Sequence, residues 1–71
     1  MSTEVKAPMQ GKILEIAVKV GDQVEYEDEL MILEALKMEN PIFAPVAGKV
    51  AEIKVAAGAT VEAEQVLVVL D

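Results

Sequence analysis

One lysine stands out by its company. Lys37 lies in Glu34-Ala35-Leu36-Lys37-Met38, between two sizeable apolar side chains. A primary amine can be acylated, but an alkylammonium is no nucleophile until a base removes its proton. The chain holds no histidine, the commonest general base and metal ligand, and no cysteine for a thiolate or disulfide. Ser2 and Thr60 therefore lack the partner a hydrolase constellation needs. Any chemistry at Lys37 must borrow its base from another protein. Tight hairpin tips favour Asn, Gly, Asp or Ser, so Leu36 and Met38 are unusual neighbours for a solvated lysine. By itself the segment reads as an interaction site or a modified lysine, against the plain alternative of a solvated loop residue.

The elements that must position Lys37 come from a repeat. Ala7-Pro8 recurs at Ala44-Pro45, Gly11-Lys12 at Gly48-Lys49, and Glu15-Ile16 at Glu52-Ile53. Gly21 matches Gly58, Val24-Glu25 matches Val61-Glu62, and Glu27, Leu30 and Leu33 meet Glu64, Leu67 and Leu70. Every offset is 37 residues, without a gap. Lys37 occupies the connection between the copies. An approximate two-fold axis relating 3–34 to 40–71 puts that connection at one end of the domain, with Met1 and Asp71 at the other.

Short apolar runs punctuated by Gly and Pro predict strands: Glu4 to Ala7, Lys12 to Val20, Val24 to Tyr26, Glu29 to Glu34, and their copies at Glu39 to Phe43, Lys49 to Val55, Val61, and Val66 to Leu70. This is an all-β sandwich or barrel. The helix formers in Tyr26 to Lys37 offer a helical alternative, which the β-favouring Val66-Leu67-Val68-Val69 of the copy opposes. Ile13, Ile16, Val18 and Val20 are expected to face inward, Met9 and Met31 to fill the core, and Gly21 and Gly58 to supply positive φ at turns. Lys6, Lys12, Lys19, Lys49 and Lys54 are expected to be solubilising.

Composition bounds the rest. The 71 residues allow a single domain, 1–71, with a small aliphatic core. Six lysines against thirteen carboxylates give −7, the opposite of a nucleic-acid footprint. No apolar run approaches the length of a membrane span, so no direct membrane insertion is expected. Residues 1–10 show no basic region followed by an apolar one, and a cytoplasmic location is expected.

With these residues in view, Glu34-Ala35-Leu36-Lys37-Met38 resembles the Glu-Ala-Met-Lys-Met attachment motif of biotinyl domains, the biotin carboxyl carrier family. Ala7-Pro8-Met9, Gly11, Val20 to Val24, Ala44 to Gly48 and Gly58 to Val61 resemble the family pattern too, so the likeness runs from about Glu4 to Leu70. It implies a flattened barrel-sandwich of two four-stranded antiparallel sheets with internal two-fold pseudosymmetry. It also implies biotin joined to Lys37 by a biotin protein ligase from biotinyl-adenylate, with Glu34, Ala35, Leu36 and Met38 as recognition motif. The domain would then be a non-catalytic carrier working between biotin carboxylase and carboxyltransferase partners. Leu36 departs from the usual Met, a swap of similar volume. The gapless repeat leaves no place for the protruding thumb of some bacterial carriers, which implies a decarboxylase, transcarboxylase or other carboxylase as parent. Two rivals stand beside this reading. A lipoyl domain of a 2-oxo acid dehydrogenase-type complex shares the fold and the turn lysine, but usually shows Asp-Lys-Ala at the site. An unmodified sandwich would serve as an adaptor.

Overall fold

A computed structural model describes residues 2–71. Eight strands follow one another: β1 (Thr3–Lys6), β2 (Gly11–Ile16), β3 (Gln23–Val24), β4 (Glu29–Ala35), β5 (Met38–Phe43), β6 (Gly48–Ile53), β7 (Thr60–Val61) and β8 (Val66–Leu70). They form two four-stranded antiparallel sheets, ordered β1-β8-β6-β3 and β5-β4-β2-β7. Adding one half-domain to each label turns the first order into the second. Each sheet therefore borrows strands from both halves, so neither half can bury its apolar face alone.

The 37-residue offset survives in the pairing itself. Thr3↔Leu70, Glu4↔Val69 and Val5↔Val68 repeat as Leu33↔Asn40, Ile32↔Pro41 and Met31↔Ile42. Ile13↔Leu33 and Glu15↔Ile32 repeat as Val50↔Leu70 and Glu52↔Val69, each with a register shift at the same place. The core obeys the same rule. Its fourteen buried residues are seven mates: Val5/Ile42, Ala7/Ala44, Ile13/Val50, Val24/Val61, Leu30/Leu67, Met31/Val68 and Leu33/Leu70. Burying side chains of this kind contributes about 1.5–3 kcal/mol for each of the larger ones. Among the described residues no polar or charged side chain is buried, so the core is held by aliphatic packing alone.

Two expectations about side chains are corrected. Met9 is 38% exposed on the bend between β1 and β2, while Met31 is fully buried as expected. Val20 is 62% exposed, because strand β2 stops at Ile16. The chain beyond it leaves the ladder; of the four inward candidates Ile13 is fully buried, and Ile16 and Val18 pack partly buried against the core. A β-turn closes the segment: Asp22 N–H donates to the Lys19 carbonyl, and Lys19 N–H donates to Asp22 Oδ2 at 3.0 Å. Val20 sits on the outside of that corner. Gly21 and Gly58 do take positive φ, 98° and 91°. The helical alternative for 26–37 is replaced by β4.

The chain path sets the poles of the molecule, whose extents are 32 × 17 × 17 Å. Strand β1 leads through the bend at Pro8 to Gln10 into the start of β2, where Lys12 faces Glu34. Strand β1 thus arrives at the Lys37 pole, and its beginning, Thr3 beside Leu70, lies at the opposite one. Asp71 ends there as expected; Met1 lies outside the described residues.

Candidate functional site

Strands β4 and β5 are joined by Leu36 and Lys37 alone, since Ala35 and Met38 are already a register pair. Both tip residues are left-handed, with φ of 53° and 64°. Two central residues at positive φ make a type I′ turn, the geometry that matches the twist of the flanking strands. Normally Asn-Gly occupies it, since a left-handed conformation costs other L-residues about 1–2 kcal/mol each. This chain accepts that strain at two adjacent positions. Strain of this kind persists only where the surrounding structure enforces it.

The hairpin has a firm base and a bare tip. Ala35 is buried, whereas Leu36 is 87% and Met38 65% exposed, and Lys37 is exposed between them. Among the described residues one ion pair forms, Lys54 to Glu52, so no carboxylate holds the Lys37 amine. Glu34 and Glu39 are exposed register partners one step down the hairpin. Like charges directly opposite repel, and Lys12, the partner of Glu34 on its other side, offsets part of that repulsion. The five residues of the expected motif are thus consecutive on one hairpin. Ala35 anchors it and Leu36, Lys37 and Met38 are offered outward, while Glu34 shares its carboxylate level with Glu39.

Two further residues shape this hairpin. Asn40 Nδ2 donates to the Met38 carbonyl at 3.2 Å, bracing the β5 arm. Gly11, the first residue of β2, lies directly against the β4 arm. A Cβ there would strike the Glu34 carbonyl oxygen and come within 2.9 Å of Leu33 Cδ1. Gly11 is therefore glycine for space, with no positive φ to explain it. In sequence the sign is its duplication as Gly48, where a Cβ would lie 2.7 Å from the Asp71 carbonyl oxygen. Asn40 carries no such signal, since its mate is Thr3.

An exposed, unpaired primary amine fits covalent acylation by an activated carboxyl group, and the flanking Leu36 and Met38 fit recognition by an apolar partner surface. Comparison with known proteins bears on the family and the fold. The family model described as "Biotin-requiring enzyme" matches residues 3–70. The gamma subunit of glutaconyl-CoA decarboxylase from Acidaminococcus fermentans is 61% identical over 41 residues, covering 58% of this chain and 28% of that protein. The biotin carboxyl carrier protein of Streptococcus mutans is 61% identical over 36 residues, covering 51% and 28%. This chain thus matches less than a third of the length of either relative. Among solved structures, the urea carboxylase of Kluyveromyces lactis superposes with a TM-score of 0.94 at 31% identity, covering 100% of this chain and 6% of that one. A single-chain long-chain acyl-CoA carboxylase gives 0.90 at 26% identity, covering 96% and 7%. The chain belongs to the biotin-requiring enzyme family.

Proposed function

We propose that residues 1–71 form one biotin carboxyl carrier domain and that biotin is joined to Lys37. A ligase would present the activated biotin carboxyl as its adenylate. The Nζ atom would attack the carbonyl, AMP would leave, and the amine would give up its proton to a base on the ligase. The observation that carries this reading is the place of Lys37: an exposed amine on a strained two-residue turn, at the one connection the repeat does not duplicate.

The residues present have distinct parts in it. Ala35 fixes the hairpin to the core and Lys37 presents the acceptor atom. Leu36 and Met38 give the ligase an apolar grip on either side, and Glu34 with Glu39 forms an acidic step beneath. Bound biotin would supply a ureido nitrogen able to accept and release a carboxyl group. The domain itself would supply delivery, since tethering raises the effective concentration of the carried group at its partners' sites. It holds no catalytic residue of its own in this reading. The matching family is described as biotin-requiring, and the relatives named above include a biotin carboxyl carrier protein, a decarboxylase subunit and a carboxylase, which favours biotin over lipoate. Biotin carboxylase and carboxyltransferase partners, and a parent of the decarboxylase, transcarboxylase or carboxylase type, belong to the same proposal. Among the described residues no helix is long and apolar enough to cross a membrane. A cytoplasmic location is part of the proposal and is read by cell fractionation.

The test is co-expression with biotin ligase or with lipoate ligase, followed by intact mass and avidin capture of wild type and Lys37→Arg. One biotin on wild type and none on K37R is expected. A lipoyl mass increment, or avidin capture of K37R, would overturn the assignment.

A further inference from the structure

We infer that Gly11 is a positioning residue for acylation of Lys37, acting through the β4 arm of the hairpin, with Asn40 bracing the β5 arm. This rests on the proposal that Lys37 is the acceptor, and deepens it. Gly11 leaves β2 flush against the Glu34 carbonyl, three residues before Lys37 and inside the ladder that carries the tip. An alanine methyl has no free space there. Its nearest obstacles are backbone atoms of Glu34 and the Leu33 side chain, which is fully buried and has nowhere to retreat. The Glu34 carbonyl must therefore move, and with it the arm that ends in Lys37. Displacing a reacting group by about 1 Å can cost on the order of 100-fold in rate.

The repeat supplies a control within the same molecule. Gly48 makes the equivalent close approach, but to Asp71, which lies past the end of β8 at the opposite pole. Gly48→Ala thus imposes a milder clash of the same kind on matched backbone remote from the acceptor, its Cβ 2.7 Å from the Asp71 carbonyl oxygen and no nearer than 3.6 Å to a side chain. A merely structural role predicts that any loss of kcat/KM follows the loss of melting temperature in both variants.

The experiment measures biotin ligase kinetics on the unbiotinylated domain, at a temperature where circular dichroism shows each variant folded. The expected result is a loss of at least 10-fold in kcat/KM for G11A, with G48A within about 3-fold of wild type. Equal rates for the two variants would overturn the inference while leaving Lys37 as acceptor. No modification of wild type would instead overturn the acceptor assignment itself. Should G11A fail to fold, Asn40→Ala decides, because its half-buried side chain contributes only one exposed hydrogen bond. A drop of about 5-fold or more in kcat/KM at unchanged melting temperature supports positioning of the tip by its arms, in keeping with the steep dependence of rate on placement. A rate within about 3-fold of wild type contradicts it.

Discussion

The turn between β4 and β5 and the opening between Asp71 and Thr3 occupy equivalent places on the two-fold frame, and they differ in almost everything that matters for chemistry. Both are approached by strands of the same register, Leu33↔Asn40 on one side and Leu70↔Thr3 on the other. Both have a glycine pressed against the carbonyl one residue past those strands' shared leucine, Glu34 in one case and Asp71 in the other. Only the first is closed, by two left-handed residues that include Lys37. The repeat gives a symmetric body, and the proposed site lies where the chain crosses from one copy to the next. The body fixes where a tip points; the crossing decides what it offers.

The strongest way to break this comparison is to close the second pole. Joining Asp71 to Met1 through Ala-Leu-Lys, and opening new ends between Val46 and Ala47, gives a permuted chain with two hairpins of one design. Intact mass after ligase treatment is expected to show two biotins. A single biotin, mapped to Lys37, would mean that more than the frame and the turn defines the acceptor. Next in size is the shared core. Leu33→Ala and its mate Leu70→Ala each remove a side chain at most 1% exposed, and each is expected to cost about 2–5 kcal/mol in urea unfolding. Agreement between them within about 1 kcal/mol sharpens the symmetry, allowing for the context dependence of such losses. A wide gap would show that one half carries the fold.

Smaller effects test the strain. Replacing Leu36-Lys37 by Asn-Gly is expected to stabilise the domain by about 1–2 kcal/mol, because the type I′ turn then has its preferred residues. The same change removes the acceptor, so stability and modification move in opposite directions. Unchanged or lowered stability would show that the turn is unstrained. Smallest are Glu27→Gly and Glu64→Gly, at matched positions with φ of 67° and 70°. Each is expected to add about 0.5 kcal/mol, since relief of the left-handed conformation exceeds the entropy glycine brings to the unfolded chain. Unequal shifts would break the symmetry at the turns, where Asp28 Oδ2 accepts from Glu25 N–H and Gln65 Oε1 accepts from Glu62 N–H.

Much of this is legible in the sequence. The gapless offset carries the fold, because identical spacing forces identical registers once the halves interlock. Gly21 and Gly58 announced their positive φ by lying between strands beside Asp22 and Ala59. The Leu36-Lys37-Met38 tip was legible as a chemical anomaly. Its left-handed conformation was not, since nothing local favours it; the strands on either side impose it. Val20 misled because alternation from Ile16 and Val18 continues through a segment that the Asp22 turn has already bent away. Met9 misled because an apolar side chain on a bend is not committed to either sheet. The close approaches of Gly11 and Gly48 depend on carbonyls of strands more than 20 residues distant in sequence, and the equivalence of Asp28 with Gln65 hides behind different residue types.

The most direct measurement is peptide mapping of the biotinylated protein by tandem mass spectrometry, because the chain offers six lysines and the account selects one. All of the biotin is expected on the peptide containing Lys37, with none on Lys6, Lys12, Lys19, Lys49 or Lys54. Biotin spread over several of these, or found on any of them in place of Lys37, would contradict the claim that the crossing between the two halves makes the site.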